Sequence, residues 1–158
     1  MDFKERLYSF LKNKYNIAFI VVFLIGLYLK LKFLFVDSIW PDEALYQWYG
    51  YKLLHVPSYF FSEEFAEVVS YLPSTIMAFF NIFTNSFIAG RITILLFGLA
   101  GIILVYLLGK ELKNRPVGLM AAILLSVNHL YWFIGSRTLL DVPLTTMFTL
   151  LKQKTIMV

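Results

Sequence analysis

Asp42 and Glu43 are adjacent carboxylates in the stretch Asp37-Ser-Ile-Trp-Pro-Asp-Glu-Ala-Leu-Tyr46. This is the first place where a long apolar run meets acid. If two such groups approach closely, one pKa rises and the other falls, which readies a pair for proton transfer. Pro41 suits the first turn of a helix, and acids just behind it face the positive end of the helix dipole. The plainer interpretation of the same residues is a capped helix at a membrane surface. Farther on, Arg137 and Asp141 are four apart and could pair on a helix, while Arg91 opens an uncharged run. His55 and His129 are far apart and make no metal pattern. The absence of cysteine excludes disulfides and thiolate metal sites.

The elements that would position these groups are membrane segments. Of 158 residues, 59% are hydrophobic and 18% are aromatic. The mean hydropathy is +0.72, and soluble domains hold roughly 45–50% apolar residues. The fold class is therefore all-α and integral to a membrane. The net charge of +4 sits in short clusters beside apolar runs, where it orients spans rather than binding nucleic acid. Tyr46, Trp48, Tyr49 and Tyr51 suit an interfacial layer.

Tyr15 to Val36 is apolar apart from Asn16, Lys30 and Lys32. At about 1.5 Å per residue it is long enough to span, with both lysines reaching for the far headgroups. The basic start, with Lys4, Arg6, Lys12 and Lys14, places the N-terminus in the cytoplasm and residues 37–67 outside. That loop holds Asp37, Asp42, Glu43, Glu63, Glu64 and Glu67; most of these acids read as solvated surface. In 68–90, Leu72, Ile76, Phe79, Phe80, Phe83 and Phe87 share one helical face, opposite Ser74, Ala78, Asn81 and Asn85. This predicts an amphipathic juxtamembrane helix in the outer loop.

Further spans are expected at Ile92–Gly109 and Pro116–Ser136, joined by the basic turn Lys110–Pro116. A partial span follows at Val142–Leu151 and breaks off at Lys152. The expected architecture is about three transmembrane helices plus a partial fourth. If 68–90 does not cross, the 110–115 turn is cytoplasmic, as the charge rule prefers, and Asp141 emerges on the same side as Asp42 and Glu43. Residues 1–151 form one unit, and 152–158 reads as a tail, as in a truncated product.

One series of motifs resembles a known family. It runs through Asp42-Glu43-Ala44-Leu45-Tyr46, Gly90-Arg91-Ile92, Tyr106-Leu-Leu-Gly-Lys110, Gly118-Leu-Met-Ala-Ala122, Ser136-Arg137 and Asp141-Val-Pro143. Together they are similar to the N-terminal part of a polytopic glycosyltransferase of the GT-C class, nearest the protein O-mannosyltransferase and aminoarabinose-transferase branch. The stretch Ser70-Tyr-Leu-Pro73-Ser74 departs from the His-Pro-Pro-Leu pattern common there.

The resemblance implies transfer of a sugar from a polyprenyl-phosphate carrier to a protein or glycolipid acceptor on the outer face. It implies Asp42 as base with Glu43 beside it, and Arg91 and Arg137 as contacts to the departing phosphate. Asp141 would orient the sugar or hold a divalent metal ion with Asp42, although some members work without one. The alternatives are a non-catalytic, truncated membrane protein of the same fold and a transporter fragment. A transporter would hold its ionisable groups near the midplane among broken helices. Family members run on through more helices, so the resemblance also implies that this chain alone is inactive. The charge pattern makes a direct prediction in this cysteine-free chain. A thiol placed at Asn114 should react with an impermeant reagent only from the inside; labelling from outside would invert the topology.

Overall fold

The computed structural model describes residue 5 and residues 12–35, 39–67 and 71–156. The basic positions Lys4 and Arg6, the acid Asp37, the onset of the amphipathic segment at 68–70 and the last two residues lie outside the described residues. All regular structure among the described residues is helical. Helix α1 is Lys14–Phe33, α2 is Pro41–His55, and a 3-10 turn covers Pro57–Phe61. Then come α3 (Glu63–Glu67), α4 (Tyr71–Asn81), α5 (Ser86–Leu112), α6 (Arg115–Val127), α7 (His129–Ile134) and α8 (Asp141–Ile156).

Two of these, α1 and α5, are long and apolar enough to cross a membrane. Their 20 and 27 residues reach about 30 and 40 Å, and α5 is the hub. Helices α6 and α8 pack along it, α2 and α4 pack against it, and α1 lies over α6 and α5. Helices start where asparagine side chains accept backbone N–H groups, a favourable N-cap arrangement. Asn13 accepts from Tyr15, Asn85 from Ile88, Asn114 from Val117 and Asn128 from Tyr131, at 2.9–3.1 Å. Pro41 takes the first position of α2, as the sequence indicates.

The segment 68–90 is not one helix. It divides into α4 and the first turn of α5, separated by a turn at 82–85. The 11 residues of α4 reach only about 16 Å, too short to span a core of about 30 Å. Its small face, with Ser74 and Ala78, is buried, and its apolar residues Leu72 and Phe79 are exposed. Pro116–Ser136 is also interrupted. Asn128 ends α6 and caps α7 by taking the Tyr131 N–H, competing with the helical backbone for that donor. At the far end the apolar run breaks off at Lys152 but the helix does not, and α8 continues through Ile156. There Gln153 donates to Glu111 at the end of α5 (3.3 Å).

Lys30 corrects another expectation. It does not reach for headgroups but is 1% exposed. Its ammonium donates to the Tyr131 carbonyl at 3.2 Å and lies 4.2 Å from the centre of the Tyr131 ring. Gly98 and Gly135 make the room, and a Cβ on Gly98 would sit 2.7 Å from Lys30 Nζ. Tyr131 in turn donates its hydroxyl to the Gly98 carbonyl at 2.9 Å.

The α5–α6 hairpin depends on a second pair of glycines. A Cβ on Gly109 would lie 2.8 Å from the Gly118 Cα, and one on Gly118 would collide with the Tyr106 carbonyl. Backbone cannot yield as a flexible side chain can. Gly118→Ala should therefore cost about 1–3 kcal/mol, whereas Leu124→Ala on the exposed face of α6 should stay within about 0.5 kcal/mol. Thermal unfolding of the two variants in one detergent measures the difference; equal midpoints would contradict the close packing.

Candidate functional site

The two adjacent acids have different fates. Glu43 is fully buried, while Asp42 is exposed one position before it. Glu43 meets Arg91, which is also fully buried, in a forked ion pair: Nε donates to Oε1 at 2.8 Å and Nη2 to Oε2 at 3.2 Å. Arg91 Nη1 donates to the Leu34 carbonyl just past α1. The Arg91 guanidinium also lies 4.2 Å from the centre of the Phe87 ring, one turn back on α5.

Glu43 Oε1 takes two more hydrogen bonds, from the Thr138 backbone N–H at 3.1 Å and its hydroxyl at 3.2 Å. Gln47, one turn along α2, donates to the same hydroxyl at 3.0 Å. Gly90 makes this approach possible, since a Cβ there would lie 2.6 Å from Thr138 Oγ1. The Gly90-Arg91 motif thus has two jobs: arginine forms the pair, and glycine admits Thr138. Burial by itself would raise the Glu43 pKa. The hydrogen bonds from Arg91 and Thr138, with the Arg91 charge, outweigh it and hold the carboxyl below its ordinary value.

Arg137 is buried with its guanidinium 4.6 Å from the centre of the Trp40 ring and 4.9 Å from that of Phe133. Trp40 is the N-cap residue of α2, so this stack holds the backbone immediately before Asp42. Arg137 lies in the turn ahead of α8, so the expected helical i,i+4 pairing with Asp141 does not apply. Asp141 opens α8 and is exposed.

Tyr46 links the two exposed acids. It lies one turn beyond Asp42 on α2 and is half-buried. Burial pushes its hydroxyl pKa up, and the charges of both Asp42 and Asp141 push it further. Asp42 and Asp141 therefore act on one phenol from two helices. The sequence reading gave Tyr46 only to an interfacial belt and missed Thr138 and Gln47. The four-residue step from Asp42 to Tyr46 was an available signal; nothing in the sequence marked Thr138.

The sequence family described as dolichyl-phosphate-mannose-protein mannosyltransferase matches residues 69–152. The chain belongs to this family. It is of the GT-C glycosyltransferase type, as the motif series suggested. No curated protein and no solved structure matches the chain. Within the mannosyltransferase-family match lie Arg91, Arg137, Thr138 and Asp141, whereas Asp42 and Glu43 precede it. The Glu43 hydrogen bonds to Arg91 and Thr138 join the unmatched acidic stretch to the family region.

A metal was expected at Asp42 and Asp141. Among the described residues no three His, Cys, Asp or Glu side chains gather into a cage. Asp42 and Asp141 remain two exposed carboxylates, and ions of the magnesium kind are held by one or two carboxylates with water and substrate phosphate completing the shell.

The buried pair predicts a pH dependence. A carboxyl held below its unfolded pKa contributes stability that is complete above the ordinary carboxylate range. That contribution fades as the pH falls through the folded value. Thermal stability should accordingly fall on acidification below about pH 5. Glu43→Gln leaves Arg91 buried without its counter-charge, a loss of about 3–5 kcal/mol, and should flatten this part of the profile. A wild-type profile in Glu43→Gln would remove the ion pair from the account.

Proposed function

We propose that the chain belongs to a membrane glycosyltransferase that moves a sugar from a polyprenyl-phosphate donor to a protein or glycolipid acceptor on the outer face. Family membership supports the reaction class. The observation that carries the residue assignment is the split between Glu43 and Asp42. One is locked to Arg91 and Thr138, and its neighbour stays open to solvent at the same end as Asp141.

In this reading Asp42 takes the proton of the acceptor hydroxyl. The hydroxyl oxygen then forms its bond to the anomeric carbon, and the carrier phosphate leaves with the electron pair of the bond it breaks. Asp141 orients the sugar. The Tyr46 hydroxyl, kept protonated by burial and the two acids, donates to a substrate oxygen. A divalent ion, when bound at Asp42 and Asp141, would supply charge neutralisation at the phosphate. Glu43 and Arg91 set the first turn of α2, and Arg137 sets Trp40 in front of it. Phosphate contact by either arginine would require it to leave these partners.

The membrane arrangement that serves this chemistry has α1, α5 and α6–α7 crossing, α8 as a further membrane segment, and the N-terminus inside. Helices α2 to α4 form the outer layer. Two observations bear on the transporter alternative: Lys30 is buried within a span, and α6 and α7 are broken at Asn128. Lys30 lies one turn from the end of α1, however, and the break is capped by the Asn128 side chain. Neither builds an open ion site at midplane.

The test is transfer from polyprenyl-phosphate sugars to peptide and glycolipid acceptors, in membranes carrying a longer family member with the same motifs. Loss of a general base lowers rate by about 10²–10⁴-fold. Asp42→Asn should do so without loss of membrane insertion, while Leu45→Ala, exposed on the same helix, should not. Asp141→Asn should also slow transfer, and metal titration should shift that loss if an ion joins the two acids. Wild-type turnover by Asp42→Asn would end its role as base.

A further inference from the structure

Helices α5 and α8 run side by side in the same direction. Thr146 donates to the Phe97 carbonyl at 3.0 Å, and farther along Gln153 donates to Glu111 at 3.3 Å. That second contact brings two groups of bases to one end of the bundle. Lys110, Lys113 and Arg115 surround the turn from α5 to α6, and Lys152 and Lys154 flank Gln153 on α8. All of them are exposed. Lys14, also exposed, joins from the start of α1, because Tyr106 near the end of α5 stacks on Phe19 at 4.2 Å and reaches Asn16 at 3.5 Å.

Among the described residues no carboxylate answers this charge. Glu111 stands between the bases but bonds the neutral Gln153 amide. The ion pairs lie elsewhere, at Lys52 with Glu64 and at Arg91 with Glu43. The charge rule accounts for bases on one side of a membrane. It does not account for α8 setting two more against the turn across a neutral hydrogen bond. Like charges gathered in this way repel unless an anion lies between them.

The neighbouring side chains say what carries that anion. Leu112, between Lys110 and Lys113, is 64% exposed, and Leu151, beside Lys152, is 60% exposed. The 27 residues of α5 reach about 40 Å, beyond a hydrocarbon core of about 30 Å, so its last turn emerges at headgroup depth. A free phosphate offers nothing to bare leucine. A phospholipid brings an anion and acyl chains together.

We propose that an anionic phospholipid binds at this end, its phosphate bridging the bases of the α5–α6 turn and those of α8, with its acyl chains along Leu112 and Leu151. The lipid thereby fastens the end of α8 to the hub helix. The assignment does not depend on which sugar is transferred or on the role of Asp42.

The test uses the chain in phosphatidylcholine bilayers doped with spin-labelled phosphatidylglycerol or spin-labelled phosphatidylcholine. The fraction of each label held immobile at the protein is read by electron paramagnetic resonance. One base near a membrane surface is worth about fivefold in association with anionic lipid, so phosphatidylglycerol should be preferred at least about fivefold. Lys152→Gln with Lys154→Gln should remove most of the preference, since a bridge needs both sides. Lys152→Arg with Lys154→Arg keeps the charge and should keep the preference. Lys32→Gln, an exposed base at the other end of α1, should leave it intact. Absence of any preference in the wild type ends the proposal. A preference that survives loss of the α8 lysines places the lipid on the turn alone, and one that falls equally in Lys32→Gln reports only net charge; either result overturns the bridge. Release of phosphatidylglycerol by millimolar inorganic phosphate would mark a site for a free anion and overturn the lipid assignment.

Discussion

Taking Glu43 and Arg91 out of water costs several kcal/mol for each ion, and their mutual attraction offsets this only when geometry and further hydrogen bonds are good. Here both conditions hold. The fork is two-pronged, Thr138 supplies two more donors, and the third arginine prong is taken by the Leu34 carbonyl. Four separate parts of the chain meet at this point: the end of α1, the first turn of α2, the start of α5 and the turn before α8. A buried pair of this kind adds little net stability over a well-packed apolar contact. Its value lies in register, because any slip leaves a bare charge behind.

The pair also makes two neighbouring acids unlike each other. In a helix, consecutive residues point about 100° apart, so a helix that buries Glu43 can present Asp42 to solvent. Burial and hydrogen bonding fix one carboxylate while the other stays accessible. The stack of Arg137 with Trp40 and Phe133 secures the same turn from its other side. Positive charge near the acids is thus spent first on architecture, and this explains why the arginines of the motif series lie beneath the surface.

Much of this was legible where local chemistry decides the outcome. Pro41 with two acids behind it announces a helix start, and Pro116 after the basic turn announces another; both appear in the structure. The uncharged run after Arg91 forms the long central helix. What stayed hidden depends on distance along the chain. Glu43 meets Arg91 across 48 positions and Thr138 across 95, and no periodicity encodes such partners. Asn128 looked like a polar residue within a span because its effect comes from a side chain competing with the backbone. Lys30 looked like a residue reaching for headgroups because the default for a lysine near a helix end is escape. Here two glycines from distant segments change the better choice.

Lys30 also orders events during assembly. When α1 first enters a bilayer, neither Gly98 nor Gly135 has been synthesised, so the ammonium has no shelter at the depth it finally occupies. A lysine near a helix end without such partners leans toward the headgroups. Once α5 brings Gly98 and the turn after α7 brings Gly135 and the Tyr131 carbonyl, the side chain can fold inward and the helix can settle. The seating of the first long helix therefore depends on residues far later in the chain, through Tyr131, Gly98 and Gly135.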